Sequence, residues 1–421
     1  VTDVDQGTCR VYSGQYAPRY TTPTYTECPG DLPAAPYAPY PVTLPGWSNS
    51  NVAVAQQHLG FTGSAVDGVF GAGTLSALLD YQDSHDVPWT GVLDKATWAK
   101  MLQVGIPDPA PEPDPEPAPV PDGVERVAGI DRYHTAALLA GAFQPGRHAY
   151  VALGTDFPDA LAAAALAGHQ DAPVLLAKND ALPSATRSAL TTLQPSGITV
   201  VGDSGALSDT VMTELEAYTT GSVDRAGGSD RYATSAQVAL RFDGPVPVAF
   251  VAVGADYADA LAGSARAATD GGPVLLTRSD LLPASVVGAL EDLDPHRIVV
   301  VGDEGAVSST VMSALGDLAG GGGVQRIAGA DRYETSAAVS DLYPAGVPRA
   351  VVATGLEFPD ALAGSAVAGS RGGPLLMVRT GTIPPAVQSA LSRLDPGSIT
   401  ALGGEDRIEH DVLVGLGDYV G

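Results

Sequence analysis

Short apolar runs alternate with helix-forming segments through the last three quarters of the chain. In the first copy of this pattern, the apolar runs cover 150–154, 174–177 and 198–201, and the helical segments cover 159–167, 184–193 and 208–218. Apolar runs of this length, alternating with helices, are typical of parallel strands that are buried on both faces. The pattern therefore predicts an α/β/α sandwich, a parallel sheet with helices on both sides.

The same pattern occurs three times. The loop after the first apolar run carries Asp159, and its equivalents in the later copies are Asp259 and Asp360, at steps of 100 and 101 residues. A period that is kept over three copies indicates a repeat architecture. The three units predicted from this period cover residues 124–221, 222–322 and 323–421, and each is long enough to bury a core.

A separate, all-α domain is predicted at residues 47–104. Apolar residues recur there at helical spacing around 52–59, 75–81 and 96–102, with glycine-containing turns between them. This spacing predicts three amphipathic helices.

Proline marks two other segments. Eight prolines between residues 18 and 45 predict that residues 1–46 form an extended arm with neither helix nor central strand. Proline also occupies every second position from Pro107 to Pro121. Residues 105–123 are therefore predicted to be a stiff polyproline II linker.

Charge and cysteine content limit the classes of partner. The formal net charge of −26 argues against nucleic acid and anionic membranes as partners. The lack of a long apolar run argues against membrane insertion. Cys9 and Cys28 are the only cysteines, which predicts one disulfide and an oxidising compartment. With no leader and no run long enough to cross a bilayer, we interpret the chain as a mature exported product.

A second repeated motif precedes each apolar loop. It reads Arg-x-x-Gly-x-Asp-Arg-Tyr-x-Thr and begins at Arg126, Arg225 and Arg326. Together with the Phe-Pro-Asp-Ala-Leu and Pro-Val-Leu-Leu segments, it resembles the cell wall binding repeat 2 family of Gram-positive surface proteins. The second copy departs from the pattern with Tyr257-Ala258, and the third with Pro-Leu-Leu-Met at 374–377.

The resemblance implies three Toprim-like units about a pseudo-threefold axis that bind anionic secondary wall polymers non-covalently, through the clefts between units. Ligands of open α/β sheets bind beyond the carboxyl ends of the strands, and arginine can form paired hydrogen bonds to phosphate or carboxylate. The predicted polymer-binding residues are Arg126, Asp131, Arg132, Tyr133, Asp156, Asp159, Asp203, Arg225, Asp230, Arg231, Tyr232, Asp256, Asp259, Asp303, Arg326, Asp331, Arg332, Tyr333 and Asp360.

Two other interpretations of these residues stay open. Asp159 is placed to cap its helix, and Arg-Asp-Tyr clusters often join repeats to one another. Calcium bridging between wall phosphates and aspartates is a further alternative. No cofactor and no metal site are predicted.

The helical domain carries its own motif. Asp-Gly-x-Phe-Gly-x-x-Thr at 67–74, Tyr-Gln at 81–82 and Thr-Gly-x-x-Asp-x-x-Thr-Trp at 90–98 resemble the peptidoglycan-binding-like domain of bacterial wall hydrolases. The resemblance implies a non-catalytic module that binds glycan or peptide stem. The candidate peptidoglycan-binding residues are Asp67, Phe70, Tyr81, Gln82 and Trp98. The same motif is also interpreted as architectural, since Gly68 and Gly71 suit turns and Asp94 is placed to cap the last helix.

No catalytic site is predicted. The histidines are scattered without the spacing of zinc ligands, and the chain has no Gly-x-Ser-x-Gly elbow. We expect a secreted, non-catalytic protein at the wall or surface of a Gram-positive bacterium, with peptidoglycan and an anionic wall polymer as partners. The alternatives are an adhesin or assembly component that binds a protein through its arm or repeats, and, with less support, a wall-lytic amidase or glycosidase.

Overall fold

The computed structural model describes two compact units, Val1–Glu116 and Pro117–Gly421. The described residues are 2–6, 9–17, 20–27, 48, 50–88, 90–102, 118–156, 158–356 and 359–421, with backbone only for residues 2–27. Most of the predicted linker therefore lies outside the described residues.

The first described residues form an antiparallel sheet. Its strands are β1 (Thr2–Gln6), β2 (Cys9–Ala17) and β3 (Tyr20–Glu27), with β2 in the centre. The prediction of an arm without a central strand is wrong for this stretch. Most of the prolines come after it, and Pro23 lies on the edge strand β3, where the register shifts and a missing N–H is tolerated.

The predicted disulfide gains no support. Cys9 begins β2, whereas Cys28 lies outside the described residues.

Three helices follow, as predicted: α1 (Ser50–His58), α2 (Ala72–Ser84) and α3 (Lys95–Met101). They enclose a small core that includes Phe70, Leu78, Leu93 and Trp98. The carboxylate of Asp94 accepts a hydrogen bond from the Thr97 amide at 2.9 Å and caps α3, as predicted.

The two turn glycines of this domain differ. Gly68 has φ of 70°, in the left-handed region that favours glycine. Gly71 has φ of −89° and is the N-cap of α2, so the structure does not require glycine there for its backbone angles.

The repeat region contains twelve strands and twelve helices in its described residues. The elements of the first copy are β4 (Val124–Val127), α4 (Arg132–Ala140), β5 (Ala149–Leu153), α5 (Pro158–His169), β6 (Val174–Ala177), α6 (Ser184–Leu193), β7 (Ile198–Val201) and α7 (Asp209–Leu215). Those of the second copy are β8 (Val223–Ala226), α8 (Arg231–Ala239), β9 (Val248–Val253), α9 (Ala258–Asp270), β10 (Val274–Thr277), α10 (Ala284–Leu293), β11 (Arg297–Val301) and α11 (Ser309–Gly316). Those of the third copy are β12 (Gly323–Ile327), α12 (Arg332–Ser340), β13 (Ala350–Thr354), α13 (Pro359–Ser370), β14 (Leu375–Val378), α14 (Pro385–Leu394), β15 (Ile399–Leu402) and α15 (His410–Gly415).

The α/β class is confirmed, and the predicted runs and helices of the first copy correspond to β5, α5, β6, α6, β7 and α7. Apolar periodicity did not predict the strand and helix that the Arg-x-x-Gly-x-Asp-Arg-Tyr motif forms, such as β4 and α4. The motif strands β4, β8 and β12 are only partly buried. They therefore lack the continuous apolar run that predicted the other strands of the sheets.

Each parallel sheet is completed by a strand from another copy. The orders are β6-β5-β7-β8, β10-β9-β11-β12 and β14-β13-β15-β4. Thus β8 and β12 extend the sheets of the copies before them, and β4, from the first copy, pairs with β15 of the third. The three sequence repeats therefore form a closed ring in which no sheet belongs to one repeat alone.

Side chains reinforce the closing pair of strands. Thr400 Oγ1 on β15 donates to Glu125 Oε1 on β4 at 2.7 Å, and Arg349 pairs with the same carboxylate. Further along, Arg126 Nη1 and Nη2 donate to the carbonyls of Gly403 and Ile408, both at 2.8 Å.

The centre of the ring is formed by α5, α9 and α13, which pack against one another. These are the alanine-rich helices of the sequence, and small side chains let their backbones approach closely. A Cβ placed on Gly369 would lie 2.5 Å from the Cβ of Ala268. The Ser264 hydroxyl of α9 lies 3.3 Å from the Leu161 carbonyl of α5. The small residues thus determine how closely the copies can pack.

Replacing Gly369 with alanine tests this contact. We expect Gly369→Ala to lower the free energy of unfolding by about 1–3 kcal/mol, because the added methyl overlaps Ala268. Gly288→Ala on α10 is the matched control, since nothing lies within 4 Å of its added Cβ. It should stabilise by up to about 1 kcal/mol through helix propensity. Urea unfolding followed by far-UV circular dichroism measures both, and equal effects at the two sites would contradict the close packing.

Candidate functional site

Two loops converge at the carboxyl edge of each sheet. In the first copy, Asp159 follows β5 and Gly202 follows β7. Gly202 has φ of 109°, and a Cβ on it would lie 2.6 Å from Asp159 Oδ2. Gly302 is related in the same way to Asp259. Glycine at this position leaves room for the carboxylate, so the two loops converge at the carboxyl edge of the sheet.

The third copy has the same arrangement, because a Cβ on Gly403 would lie 3.0 Å from Asp360 Oδ2. The loop just before Asp360, at 357–358, lies outside the described residues.

The next copy completes each crevice. The Asp159 carboxylate accepts a hydrogen bond from the hydroxyl of Thr234, and the Arg231 side chain lies nearby. Thr234 Oγ1 in turn accepts from the Gly228 amide at 3.1 Å. The crevice between the second and third copies repeats this arrangement with Asp259 and Thr335. An acidic loop of one copy therefore meets the Arg-Tyr-x-Thr segment of the next.

Burial makes these carboxylates unusual. The pKa of Asp159 is raised to about 6, chiefly by desolvation and also by the negative charges of Asp156 and Asp203, while the hydrogen bond from Thr234 and the charge of Arg231 oppose the rise. Desolvation likewise raises the pKa of Asp259. Burial therefore disfavours the charged form of the carboxylate in each of these two crevices, relative to an aspartate in water.

The first arginine of each motif binds backbone. Arg225 Nη1 donates to the carbonyls of Gly202 and Asp203 at 2.9 and 2.8 Å. Arg326 donates in the same way to Gly302 and Asp303, and Arg126 bonds the equivalent loop of the third copy. These predicted polymer-binding arginines use their donors to hold the loop that follows β7, β11 or β15 in the preceding copy of the ring.

The aspartate and the second arginine of each motif, in contrast, contact their own copy. Asp131, Asp230 and Asp331 are N-caps of α4, α8 and α12, accepting backbone amides at 2.8–3.0 Å. The second arginines donate to a glycine carbonyl after β5, β9 or β13, in the pairs Arg132–Gly154, Arg231–Gly254 and Arg332–Gly355.

Asp203 and Asp303 shape their own loops. Asp203 Oδ1 accepts from the Gly205 and Ala206 amides at 2.9 Å, and Asp303 Oδ1 from Ala306. Both aspartates, like Asp156 and Asp256, are exposed at the crevice edge.

The crevice between the second and third copies is bridged by Tyr257. Its hydroxyl donates to the Gly355 carbonyl at 3.0 Å and accepts from Arg332 Nη1 at 2.9 Å. Arg332 Nη2 also lies 3.4 Å from Asp256 Oδ2. Tyr257 was not among the predicted site residues, although its departure from the Phe-Pro pattern was visible in the sequence.

The motif tyrosines lie against the glycines at the strand ends. A Cβ on Gly154, Gly254 or Gly355 would lie 2.6–2.8 Å from Cε1 of Tyr133, Tyr232 or Tyr333, respectively. Each tyrosine ring also has a basic side chain over it, from Lys178, Arg278 or Arg379. The sequence analysis did not predict these three cations. Aligning the three copies would have shown them, because a basic residue directly follows β6, β10 and β14.

In the helical domain the candidate residues divide into two groups. Phe70, Gln82 and Trp98 are buried in the core. Gln82 Nε2 donates to Thr97 Oγ1 and the Val92 carbonyl, and its Oε1 accepts from the Gly91 amide. These three residues therefore support the fold from inside.

Asp67 and Tyr81 reach the surface. Gln56 Nε2 donates to Asp67 Oδ1 at 2.7 Å, and this hydrogen bond is the main reason why the pKa of Asp67 is lowered. The half-buried Tyr81 stacks on His85, with 4.0 Å between ring centroids. Gln56 was not predicted as a site residue. Its side chain accepts from the Gly68 amide as that of Gln82 accepts from the Gly91 amide. Each glutamine follows an apolar helical run, which is the signal that could have identified Gln56.

The described residues contain neither a metal-binding cluster nor a membrane-spanning helix. No group of three or more His, Cys, Asp or Glu side chains is arranged to hold a metal ion. None of the described helices has the length and apolar character needed to cross a membrane.

Comparison with protein families now identifies the repeats. The family described as cell wall binding domain 2 (CWB2) matches residues 126–212, 225–312 and 326–413, more than half of the chain. The chain belongs to the CWB2 family. A family described as a putative peptidoglycan binding domain matches residues 48–101. The architecture implied by the two sequence resemblances is confirmed, and the CWB2 repeats give the chain a cell-wall-binding role.

Two curated relatives come from Bacillus subtilis (strain 168). An amidase enhancer is 29% identical over 296 residues, which are 70% of this chain and 40% of the relative. The N-acetylmuramoyl-L-alanine amidase LytC is 30% identical over 257 residues, which are 61% of this chain and 50% of the relative. The chain thus spans half or less of the length of these relatives.

Solved structures share the fold of the repeats. Cwp6 from Clostridium difficile matches with a TM-score of 0.67 at 25% identity, covering 72% of this chain and 48% of that one. Cwp8 from the same organism matches with a TM-score of 0.64 at 28% identity, covering 71% and 52%.

The raised pKa of Asp159 predicts a pH-dependent effect of Asp159→Asn. The folded state binds more protons than the unfolded state between about pH 4 and 6, so wild-type stability falls relative to the variant as pH rises through that window. Two pKa units correspond to about 3 kcal/mol. We expect Asp159→Asn to be about 1–3 kcal/mol more stable than wild type at pH 7–8, with the difference vanishing below pH 4.

Urea unfolding across this pH range measures the difference. The exposed Glu291→Gln on α10 is the matched control and should show no such pH dependence. A difference for Asp159→Asn that stays constant from pH 4 to 8 would contradict the assignment of a buried, proton-binding carboxylate.

Proposed function

We propose that the chain is a secreted, non-catalytic protein of a Gram-positive wall, with two binding modules. The three CWB2 repeats hold an anionic secondary wall polymer non-covalently in their crevices, and the three-helix domain holds peptidoglycan. In the sequence, the proline-rich segment at 105–123 lies between the two modules.

The proposal of polymer binding rests on the geometry of the crevices between copies. The ring presents equivalent crevices, in which an acidic strand-end loop of one copy faces the Arg-Tyr-x-Thr segment of the next. Crevices at the carboxyl ends of parallel strands are where α/β sheets bind ligands. A polymer of identical units can occupy more than one crevice at once, and such multivalent attachment raises the overall affinity without a new kind of contact.

The negative net charge of the chain limits attraction of an anionic polymer to short distances. At −26 the chain repels polyanions at long range. Binding of an anionic polymer therefore depends on short-range hydrogen bonds and local cations, and we expect it to be sensitive to salt. A divalent cation that bridges the aspartates to the polymer is the alternative, and the experiment below includes a chelator to distinguish the two.

The peptidoglycan proposal is supported by the family match at 48–101 and by the two candidate residues at the surface. Asp67 offers a carboxylate held in place by Gln56, and Tyr81 offers a ring for stacking on a sugar. Phe70, Gln82 and Trp98 support this surface from the core.

The absence of catalysis is part of the proposal. Two relatives carry the words amidase enhancer and amidase in their names, but the chain covers half or less of each. Within the described residues, the parts matched by families are binding modules.

Co-sedimentation with purified Gram-positive sacculi tests the proposal. Fragments 47–104 and 118–421 and the full chain are mixed with walls before and after acid removal of secondary polymers, with and without EDTA. We expect 118–421 to pellet only with unstripped walls, 47–104 to pellet with both, and neither to release peptides or sugars from the wall. Fragment 118–421 should pellet equally well in EDTA.

Each contrary result removes one part of the proposal. If 118–421 pellets equally with stripped walls, its ligand is not the secondary polymer. Loss of pelleting in EDTA would show a cation bridge instead of direct binding. If neither fragment pellets, the modules do not bind walls in this form, and release of wall fragments would show catalysis.

A further inference from the structure

A basic side chain occupies the same position in all three copies. Lys178, Arg278 and Arg379 come directly after β6, β10 and β14, the strands that form one edge of each sheet. They therefore lie at the carboxyl edge, the edge at which the crevices open. Only 22 basic residues occur in the whole chain, so a cation kept in register through three copies is notable.

Each of these cations lies over the ring of a motif tyrosine. Lys178 Nζ is 6.0 Å from the centroid of Tyr133, Arg278 Cζ is 4.8 Å from that of Tyr232, and Arg379 Cζ is 4.9 Å from that of Tyr333. A cation over an aromatic face is attracted by the ring without using its N–H donors. The tyrosine thus positions the charge and leaves its hydrogen-bonding groups available.

Within the described residues, these three cations make few hydrogen bonds or ion pairs to the rest of the protein. Within the described part of the chain, the side chains of Lys178 and Arg278 make no hydrogen bond and no ion pair, and both are exposed. Arg379 has a single ion pair, to Asp331, at 3.7 Å and largely in solvent. The motif arginines differ, because they donate to backbone carbonyls.

We infer that Lys178, Arg278 and Arg379 are three equivalent anion-binding positions, each contacting a phosphate or carboxylate group of a repeating wall polymer. This inference rests on the proposed polymer binding and identifies the residues that supply its positive charge. A guanidinium can bind either group through two parallel hydrogen bonds, and an ammonium binds it as a point charge. Three such positions on one ring suit a polymer with regularly spaced anions.

The assignment also resolves the conflict between the acidic chain and an anionic ligand. The long-range field repels the polymer, while the exposed cations provide local attraction at the crevice mouths. Binding then requires close contact with several positions, which favours a long polymer over a single small anion.

The test uses the full chain carrying Lys178→Gln and Arg278→Gln together. The matched control is Arg147→Gln with Arg187→Gln, which removes the same charge from two exposed arginines paired with Asp171 and Glu214. Arg147 precedes β5, at the opposite edge of the sheet. A third variant, Lys178→Arg with Arg278→Lys, keeps the charge. Thermal unfolding establishes that all of them fold.

Affinity is measured for unstripped walls and for two probe polymers, a poly(glycerol phosphate) and a polyuronate. We expect the crevice double variant to bind walls about tenfold or more weakly than wild type, while the control and the charge-keeping variant stay within about threefold. The same loss should appear on whichever probe the wild type binds, and that probe identifies phosphate or carboxylate as the group.

The outcomes separate this inference from the proposed function. If wild type fails to bind walls, the proposed function fails. If wild type binds walls but the crevice double variant binds equally well, the inference alone is overturned. It is also overturned if the control loses as much affinity as the crevice variant, or if wild type binds walls and neither probe polymer.

Discussion

The pairing of strands between copies is the constraint on which the rest of the repeat region depends. Without a strand from another copy, β7, β11 and β15 would each leave a row of backbone N–H and C=O groups unpaired. Two of the pairing strands come from the following repeat. The last comes from the beginning of the region, so β4 on β15 turns three tandem repeats into a closed ring.

Two other features of the ring, its crevices and its small-residue core, follow from this exchange of strands between copies. Because the chain passes into the neighbouring sheet before it forms the next helix, the Arg-Tyr-x-Thr segment is placed opposite the acidic loop of the preceding copy. The exchange also brings α5, α9 and α13 together at the centre, where their backbones approach closely enough to require alanine, serine and glycine. The crevices and the small-residue core are thus two results of one topology.

Much of the fold could be predicted from the sequence, because it rests on local signals. Apolar runs such as 174–177 and helices such as 184–193 are marked by composition alone, and Asp94 capped its helix as expected. The exchange of strands could not be predicted, since β4, β8 and β12 are half-buried and show no apolar run, and periodicity says nothing about which strand is the neighbour. Residues 2–27 were not predicted to be a sheet, because the prolines of residues 1–46 predicted an extended arm.

Part of the geometry of the candidate site follows from the sequence. Asp159 and Asp203 come directly after apolar runs, and the structure shows the loops that carry them side by side at the carboxyl edge of the sheet. Sequence could not show that Arg126, Arg225 and Arg326 direct their donors to backbone carbonyls, because that depends on the shape of a loop in another copy. Nor did the motif include Lys178, Arg278 and Arg379, which become noticeable only when the copies are aligned.

Hydrogen exchange of backbone amides in β15 tests the closed ring most directly. The Ile399 amide donates to the Gly123 carbonyl at 2.8 Å and the Gly403 amide to Val127 at 3.0 Å. In the first sheet, the Ile198 and Gly202 amides donate to Ser222 and Ala226 in the same way. We expect the amides of Ile399 and Gly403 to exchange about 100-fold or more faster in fragment 128–421 than in 118–421, with Ile198 and Gly202 unchanged. Equal protection of Ile399 and Gly403 in both fragments would contradict closure of the ring by β4.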